Sequence, residues 1–157
     1  MGTVLGLVTD GLRPIKARYE IHCDEHWRTH RALIEQIIAR DGHSLRLSSE
    51  SLGRWHGDGR ELPELSGCID IDLGLTPATN TIPIRRLRLD IGKSQDVIAA
   101  WVKFPEFTIQ PLRQTYTCLS KLVYRYQSAS AFSAEISVDD LGLVVTYPGG
   151  WERLAAA

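Results

Sequence analysis

Residues 55–86 read WHGDGRELPELSGCIDIDLGLTPATNTIPIRR, and the fold turns on how this stretch is parsed. Gly57-Asp58-Gly59 is a turn, and Pro63 and Gly67 keep 61–67 irregular. CIDIDL at 68–73 alternates, with Ile69, Ile71 and Leu73 on one side and Asp70 and Asp72 on the other, which is a strand period. Thr76-Pro77 then carries a helix start, a capping hydroxyl followed by proline in the first turn, and Pro83 is expected to kink or end that helix. Acidic residues, a Thr/Asn/Pro cluster and an arginine pair are thus set in a stretch too apolar for a linker. The chain concentrates its chemistry here.

Outward from it the pattern is mostly that of strands. On the N-terminal side, 3–8 is apolar and β-branched and runs into an Asp10-Gly11 turn. At 15–23, Ile15, Ala17, Tyr19, Ile21 and Cys23 share one face and Lys16, Arg18, Glu20 and His22 the other. Residues 24–42 are ambiguous. Local periodicity favours a helix capped by Asp24, with Trp27, Leu33, Ile34, Ile37 and Ile38 on its apolar face and Gly42 as a stop, against a strand that would align Trp27, Thr29, Arg31, Leu33, Glu35 and Ile37. A strand is expected at 44–52. Beyond the opening stretch, strands are expected at 84–89, 97–102, 107–109, 114–126, 132–138 and 143–147, separated by Gly, Pro and Ser punctuation that suits an antiparallel sandwich, barrel or roll.

The bulk numbers agree with one globular domain. The chain has 157 residues, 43% hydrophobic and 24% charged. With 18 basic against 19 acidic residues there is no surplus of positive charge to hold phosphates, which argues against a nucleic acid as partner. Cys23, Cys68 and Cys118 form no CxxC pair, so buried thiols in a reducing cytoplasm are expected rather than zinc or a disulfide framework. The first residues lack the basic and apolar regions of a secretory signal, and no run is long enough for a membrane-spanning helix.

Several phrases follow one another in a particular order. They are Trp55 with Gly57-Asp58-Gly59, LSGCIDIDL at 65–73, TPATNTIPIRRL at 76–87, Gln114-Thr115-Tyr116, Tyr124-Arg125-Tyr126, VDDLGLV at 138–144 and Tyr147-Pro148-Gly149. Over residues 6–153 this order resembles the family described as putative glycolipid-binding, once a domain of unknown function, and the DxD followed by TPxTNTxPIRRL is its most specific motif. The resemblance implies a mainly β, single-domain spiral β-roll over 1–157, a curled antiparallel sheet wrapped around one helix and similar to bacterial lipoprotein-carrier folds. It places the helix near 77–87 and, against the local reading, a long strand at 27–39. Family members carry a further leading segment before the position matching Gly6, so the resemblance implies missing first strands and an open edge. The function implied is non-enzymatic holding of an amphiphile, a glycolipid, in a groove between sheet and helix, in a protein that dimerises and does not insert into a membrane.

An acyl chain would gain roughly 0.8 kcal/mol for each buried methylene in such a groove. A sugar headgroup needs flat aromatic faces and planar polar groups, and Trp55, His56, Asp58, Thr79, Asn80, Arg85 and Arg86 supply both. Trp55 has an equally simple reading as core. Asp70 and Asp72, about 7 Å apart on one strand face, are open to three readings. They are a catalytic pair acting on a lipid-linked sugar, part of a hard-metal site, or anchors that orient the TNT segment through Arg85 and Arg86. Tyr116, Tyr124 and Tyr126 would share one face of a long strand, lining the groove, anchoring a dimer or filling the core. His26 and His30 have zinc-like spacing without the glutamate of HExxH and read as surface histidines, and no GxSxG, GxGxxG, Walker or EF-hand pattern occurs. No cofactor or metal is expected. A ligand-free structural dimer completes the set of readings.

Overall fold

A computed structural model describes residues 2–6, 15–38, 41–50, 53–149 and 151–152. In chain order the elements are β1 (Gly2–Gly6), β2 (Ile15–Cys23), β3 (Thr29–Ile38), β4 (Asp41–Glu50), β5 (Arg54–Gly57) and β6 (Arg60–Glu61). A 3-10 turn (Pro63–Leu65), β7 (Asp70–Leu73), a second 3-10 turn (Pro77–Asn80) and α1 (Thr81–Leu87) follow. Then come β8 (Ser94–Lys103), β9 (Thr108–Ser120), β10 (Val123–Ser128), β11 (Ser133–Val138), β12 (Val144–Tyr147) and β13 (Trp151–Glu152). Among the described residues, β1 to β6 form one sheet in sequence order and β13 back to β7 form the other. Neighbouring strands are antiparallel except β7 and β8, which are parallel and joined through the segment containing α1. This is the mainly β, curled architecture with one short helix.

The second edge of β7 is covered where the two sheets meet. Thr29, at the start of β3, donates its backbone N–H to Ile69 O at 3.2 Å, and its hydroxyl accepts the N–H of Ile71 at 3.2 Å. That double contact explains why a threonine is buried there.

Two apolar clusters lie behind this seam. The first joins Ala32, Ile34, Leu47, Trp55, Leu65 and Cys68 to Ile71, Leu73, Ile82, Ala100 and Val102, and so spans both sheets. The second packs Ile84 against Val97, Tyr116, Cys118, Tyr124, Tyr126 and Ile136 of the second sheet. The helix contributes Ile82 to one and Ile84 to the other, so its seven residues are held by burial rather than by intrinsic propensity.

The local helix reading of 24–42 fails here. Residues 24–28 form a turn in which Asp24 Oδ1 accepts the N–H groups of His26 and Arg28 at 2.9 and 2.8 Å, and Trp27 has φ of 63°. From Thr29 the chain is strand, as the family resemblance implies, and it pairs with β2 on one side and β4 on the other. A bulge against His22 and Cys23 puts Thr29 and then Ala32, Ile34 and Gln36 inside. Pairing on both edges outweighs a helical spacing of isoleucines.

Three other boundaries move. Residues 81–87 are helix, so the strand expected at 84–89 is absent; Pro83 neither ends nor kinks it, because it lies in the first turn, where its missing N–H costs no helix bond. The strand expected at 114–126 is a hairpin, β9 and β10, turning at 121–122. The one expected at 107–109 is the start of β9, which runs on through Pro111. The proline is accommodated because β10 pairs only as far as Gln114, which leaves that part of β9 with one free edge. The Asp10-Gly11 turn lies outside the described residues.

Gly53 shows how closely the sheets approach. Its φ is +71°, and a Cβ there would stand 2.9 Å from Cys68 O and 3.2 Å from Gly67 Cα, both backbone atoms. Gly53→Ala is therefore expected to cost about 1–3 kcal/mol, measurable as a lowered urea midpoint with unchanged slope. An unchanged midpoint would show that the seam is loose.

Candidate functional site

Asp70 and Asp72, alternate residues of β7, serve two different purposes in the structure. Asp70 is 1% exposed and receives Arg86 in a two-pronged pair, Nε at 2.9 Å from Oδ1 and Nη2 against Oδ2. Burial still holds its carboxyl above the ordinary carboxylate value, with Arg86 opposing. Asp72 has no cationic partner among the described residues. It accepts Gln114 Nε2 at 2.6 Å on one oxygen, and the other lies 3.4 Å from Thr79 Oγ1. Burial pushes its carboxyl up to about 6, against these two hydrogen bonds.

The segment after β7 builds the wall around Asp72. Thr76 Oγ1 accepts the N–H of Ala78 at 3.2 Å, the N-cap expected from Thr-Pro, and Thr79 Oγ1 accepts the N–H of Leu73 at 3.2 Å. Asn80 donates Nδ2 to Pro77 O at 3.1 Å, and its Oδ1 receives the Tyr116 hydroxyl at 2.7 Å. The Tyr116, Tyr126 and Tyr147 hydroxyls all have pKa values raised above the usual phenol range, chiefly by burial and further by the nearby Asp72 charge. They remain neutral.

Asp72 and Asn80 face a cavity of 420 Å³, within the range of small-molecule sites. Its walls include Thr76, Pro77, Leu73, Leu112, Trp101, Tyr126, Phe132, Tyr147 and Trp151. The Phe132 and Tyr147 rings are stacked at 5.9 Å with 4° between their planes, and Phe132 also meets Tyr126 at 6.2 Å. A carboxylate and an amide therefore stand among aromatic side chains contributed by β8, β10, β12, β13 and the turn before β11. A second cavity, of 690 Å³, lies between the C-terminal end of α1 and β8 to β10, with Arg86, Leu87, Val97, Ile98 and Gln114 in its walls. Gln114 lines both.

The structure divides the residues singled out in the sequence. Asp72, Asn80 and Tyr126 line the aromatic cavity, with Thr79 and Tyr116 bonded directly behind it, and Arg86 lines the larger cavity. Trp55 is fully buried and donates Nε1–H to Cys68 O at 2.7 Å, so it is core. His56 lies 4.0 Å from Glu50, and Asp58 caps its turn by accepting Arg46 N–H at 3.1 Å. Arg85 does not reach either aspartate. It stands 4.3 Å from the centre of the Trp27 ring and donates to Leu141 O, because successive helical residues point about 100° apart. Tyr124 is buried beneath a smaller cavity shared with 139–142. The three tyrosines do not lie on one long strand: Tyr116 pairs with Tyr126 across the β9–β10 hairpin, their rings 5.4 Å apart. His26 and His30 are exposed, and Cys68 and Cys118 are buried, the Cys68 thiol being pushed up to about 11 mainly by burial.

Gln114, Trp101, Phe132, Tyr147 and Trp151 are the site residues that sequence reasoning passed over, although Gln114 and Tyr147 belong to recurring phrases of the motif. Their separation along the chain hid them.

Two measurements probe this geometry. Asp72 binds its proton more tightly folded than unfolded, so its contribution to stability is largest near the ordinary carboxylate value of 3.8 and declines as pH rises to about 6. Asp72→Asn is expected to melt at or above the wild-type temperature at pH 7.5, the difference closing by pH 4. A large loss at pH 7.5 would contradict the assignment. Gly74 fits closely under Trp101: an added Cβ would lie 2.8 Å from the indole Nε1. Gly74→Ala is expected to displace that ring at a cost of about 1–3 kcal/mol, seen as a shifted indole N–H resonance.

The family model described as putative glycolipid-binding matches residues 3–153. A crystal structure of a DUF1089 family protein from Pseudomonas aeruginosa superposes with a TM-score of 0.87 at 35% sequence identity, over 93% of this chain and 81% of that one. No curated protein matches the chain.

Proposed function

The chain belongs to the putative glycolipid-binding family, and from that premise we propose that it is a non-enzymatic binding protein that holds an amphiphile, a glycolipid, by its headgroup in the Asp72 cavity. The observation that carries this reading is the make-up of that cavity, with Asp72 and Asn80 as polar partners among aromatic walls. Sugars are held in this way, by planar hydrogen-bonding groups and by ring faces that pack on their C–H surfaces. Phe132 and Trp151 are 43% and 37% exposed, and they give an alkyl tail an apolar exit from the headgroup site. No helix among the described residues is long and apolar enough to cross a membrane. The three free cysteines suit a reducing compartment, the cytoplasm, and the exposed Ile91 and Leu141 offer apolar surface for a homodimer.

Among the described residues Asp72 is the only carboxylate in the walls of this cavity, and Asp70 is turned to Arg86, which disfavours two-carboxylate hydrolysis of a lipid-linked sugar. Native mass spectrometry of protein purified without detergent tests the proposal. A reproducible lipid-sized adduct, reduced in a Tyr126→Ala variant, is expected. Repeated absence of any adduct, together with no thermal shift across a panel of glycolipids, would overturn it.

A further inference from the structure

Among the described residues, the hydrogen bonds around Asp72 leave its charge unbalanced. Both contacts come from neutral groups, the Gln114 amide and the Thr79 hydroxyl, and the neighbouring Tyr116, Tyr126 and Tyr147 are neutral phenols. Among the described residues, Asp70 and Arg86 pair with each other, and Lys103, which is not in the cavity wall, lies 5.5 Å from the ring centre of Trp101, which is. Asp72 is half-buried, and a partly desolvated carboxylate is stabilised more by a cation than by neutral donors. The space in front of it is walled by Trp101, Tyr126, Phe132, Tyr147 and Trp151, and aromatic faces attract ammonium groups, the more so where water is excluded. A sugar bearing only hydroxyls would use the rings and the amide, yet it would leave the negative charge without a counter-ion.

We infer that this cavity selects a cationic headgroup, an ammonium-bearing sugar or alkylammonium, by pairing it with Asp72 inside an aromatic enclosure. This rests on the amphiphile-binding reading and names the class of head that the site prefers. Because burial places the Asp72 carboxyl at about 6, the counter-charge is present at pH 7.5 and largely lost at pH 5.

The test uses the full chain labelled with nitrogen-15 and probes of fixed charge. Tetramethylammonium and its neutral isostere tert-butanol are titrated at pH 7.5 and pH 5 while the indole N–H resonances of Trp101 and Trp151 are followed. Expected at pH 7.5 is saturable binding of the cation about tenfold tighter than that of the alcohol, with the preference gone at pH 5 and in Asp72→Asn. Glucosamine against glucose, and choline against its neutral analogue 3,3-dimethylbutanol, then distinguish an amino sugar from an alkylammonium head; a preference for the charged member of either pair supports the inference. Equal affinity within both pairs, no shift with any cation, or a preference that survives Asp72→Asn would overturn it. Neutral glycolipid adducts that persist alongside such a result would leave the amphiphile-binding reading standing.

Discussion

Arg86→Met is expected to destabilise the protein by about 3–5 kcal/mol, the usual cost of removing one partner from a buried ion pair. For a chain of this size that corresponds to a fall in melting temperature of about 10 °C. The methionine keeps the stem in place, so the loss reports the charge rather than the packing. What remains is Asp70, 1% exposed and without its counter-ion. Its carboxyl is already held above the ordinary value with Arg86 present, and removing the cation raises it further. A raised carboxylate pKa means that the folded state holds the proton more tightly. Stability contributed by this group is therefore present below the unfolded value near 3.8 and declines as pH rises toward the folded one. The deficit of Arg86→Met relative to wild type should accordingly be larger at pH 8 than at pH 4.5. Adding Asp70→Asn should recover much of it at pH 8. A deficit that ignores both pH and the second substitution would locate the damage in packing and remove the ion pair from the account.

Trp55→Ala is the second large effect, about 3–5 kcal/mol by chemical or thermal denaturation. The indole is wholly buried against the cluster that spans both sheets, and its N–H satisfies Cys68 O at the seam. Alanine loses the ring contacts, leaves a cavity and orphans that carbonyl. Trp55→Phe separates these contributions: it retains most of the apolar volume and should cost about 1–3 kcal/mol for the carbonyl and the residual void. If both variants lose equally, the hydrogen bond governs. If neither loses, the first sheet is not fastened at this point. Ligand binding in Trp55→Phe should match wild type, since the residue lies outside the Asp72 cavity.

The fold was legible wherever a strand shows one face to water. The β2 alternation is direct, with Ala17 buried and Lys16 and Arg18 exposed. It was hidden in β3, whose isoleucines at helical spacing mask an alternation displaced by the bulge at its start; the family motifs, rather than periodicity, carried that strand. The site was legible only in its contiguous part, from Asp72 to Asn80, because a strand, a capped turn and a short helix keep those residues close. Of its aromatic half, only Tyr126 stood among the candidates. Trp101, Tyr126, Phe132, Tyr147 and Trp151 are spread over 50 positions of the chain, and pairing between strands alone brings them together. The arginines mislead for a related reason. Adjacent in sequence, they diverge on the helix, one to Asp70 and the other to Trp27.

The parallel pairing of β7 with β8 also governs the order in which the chain can assemble. The strands of each sheet otherwise pair with their neighbours in sequence, so each meander can zip from its hairpins at little cost in chain entropy. The parallel pair waits until 74–93 has turned back on itself, and the Thr29 contacts with Ile69 and Ile71 close a still longer loop. Both closures fall on the segment that carries Asp70 and Asp72. The Asp72 cavity is then expected to form last, and mutations along β7 should accelerate unfolding while leaving the refolding rate nearly unchanged.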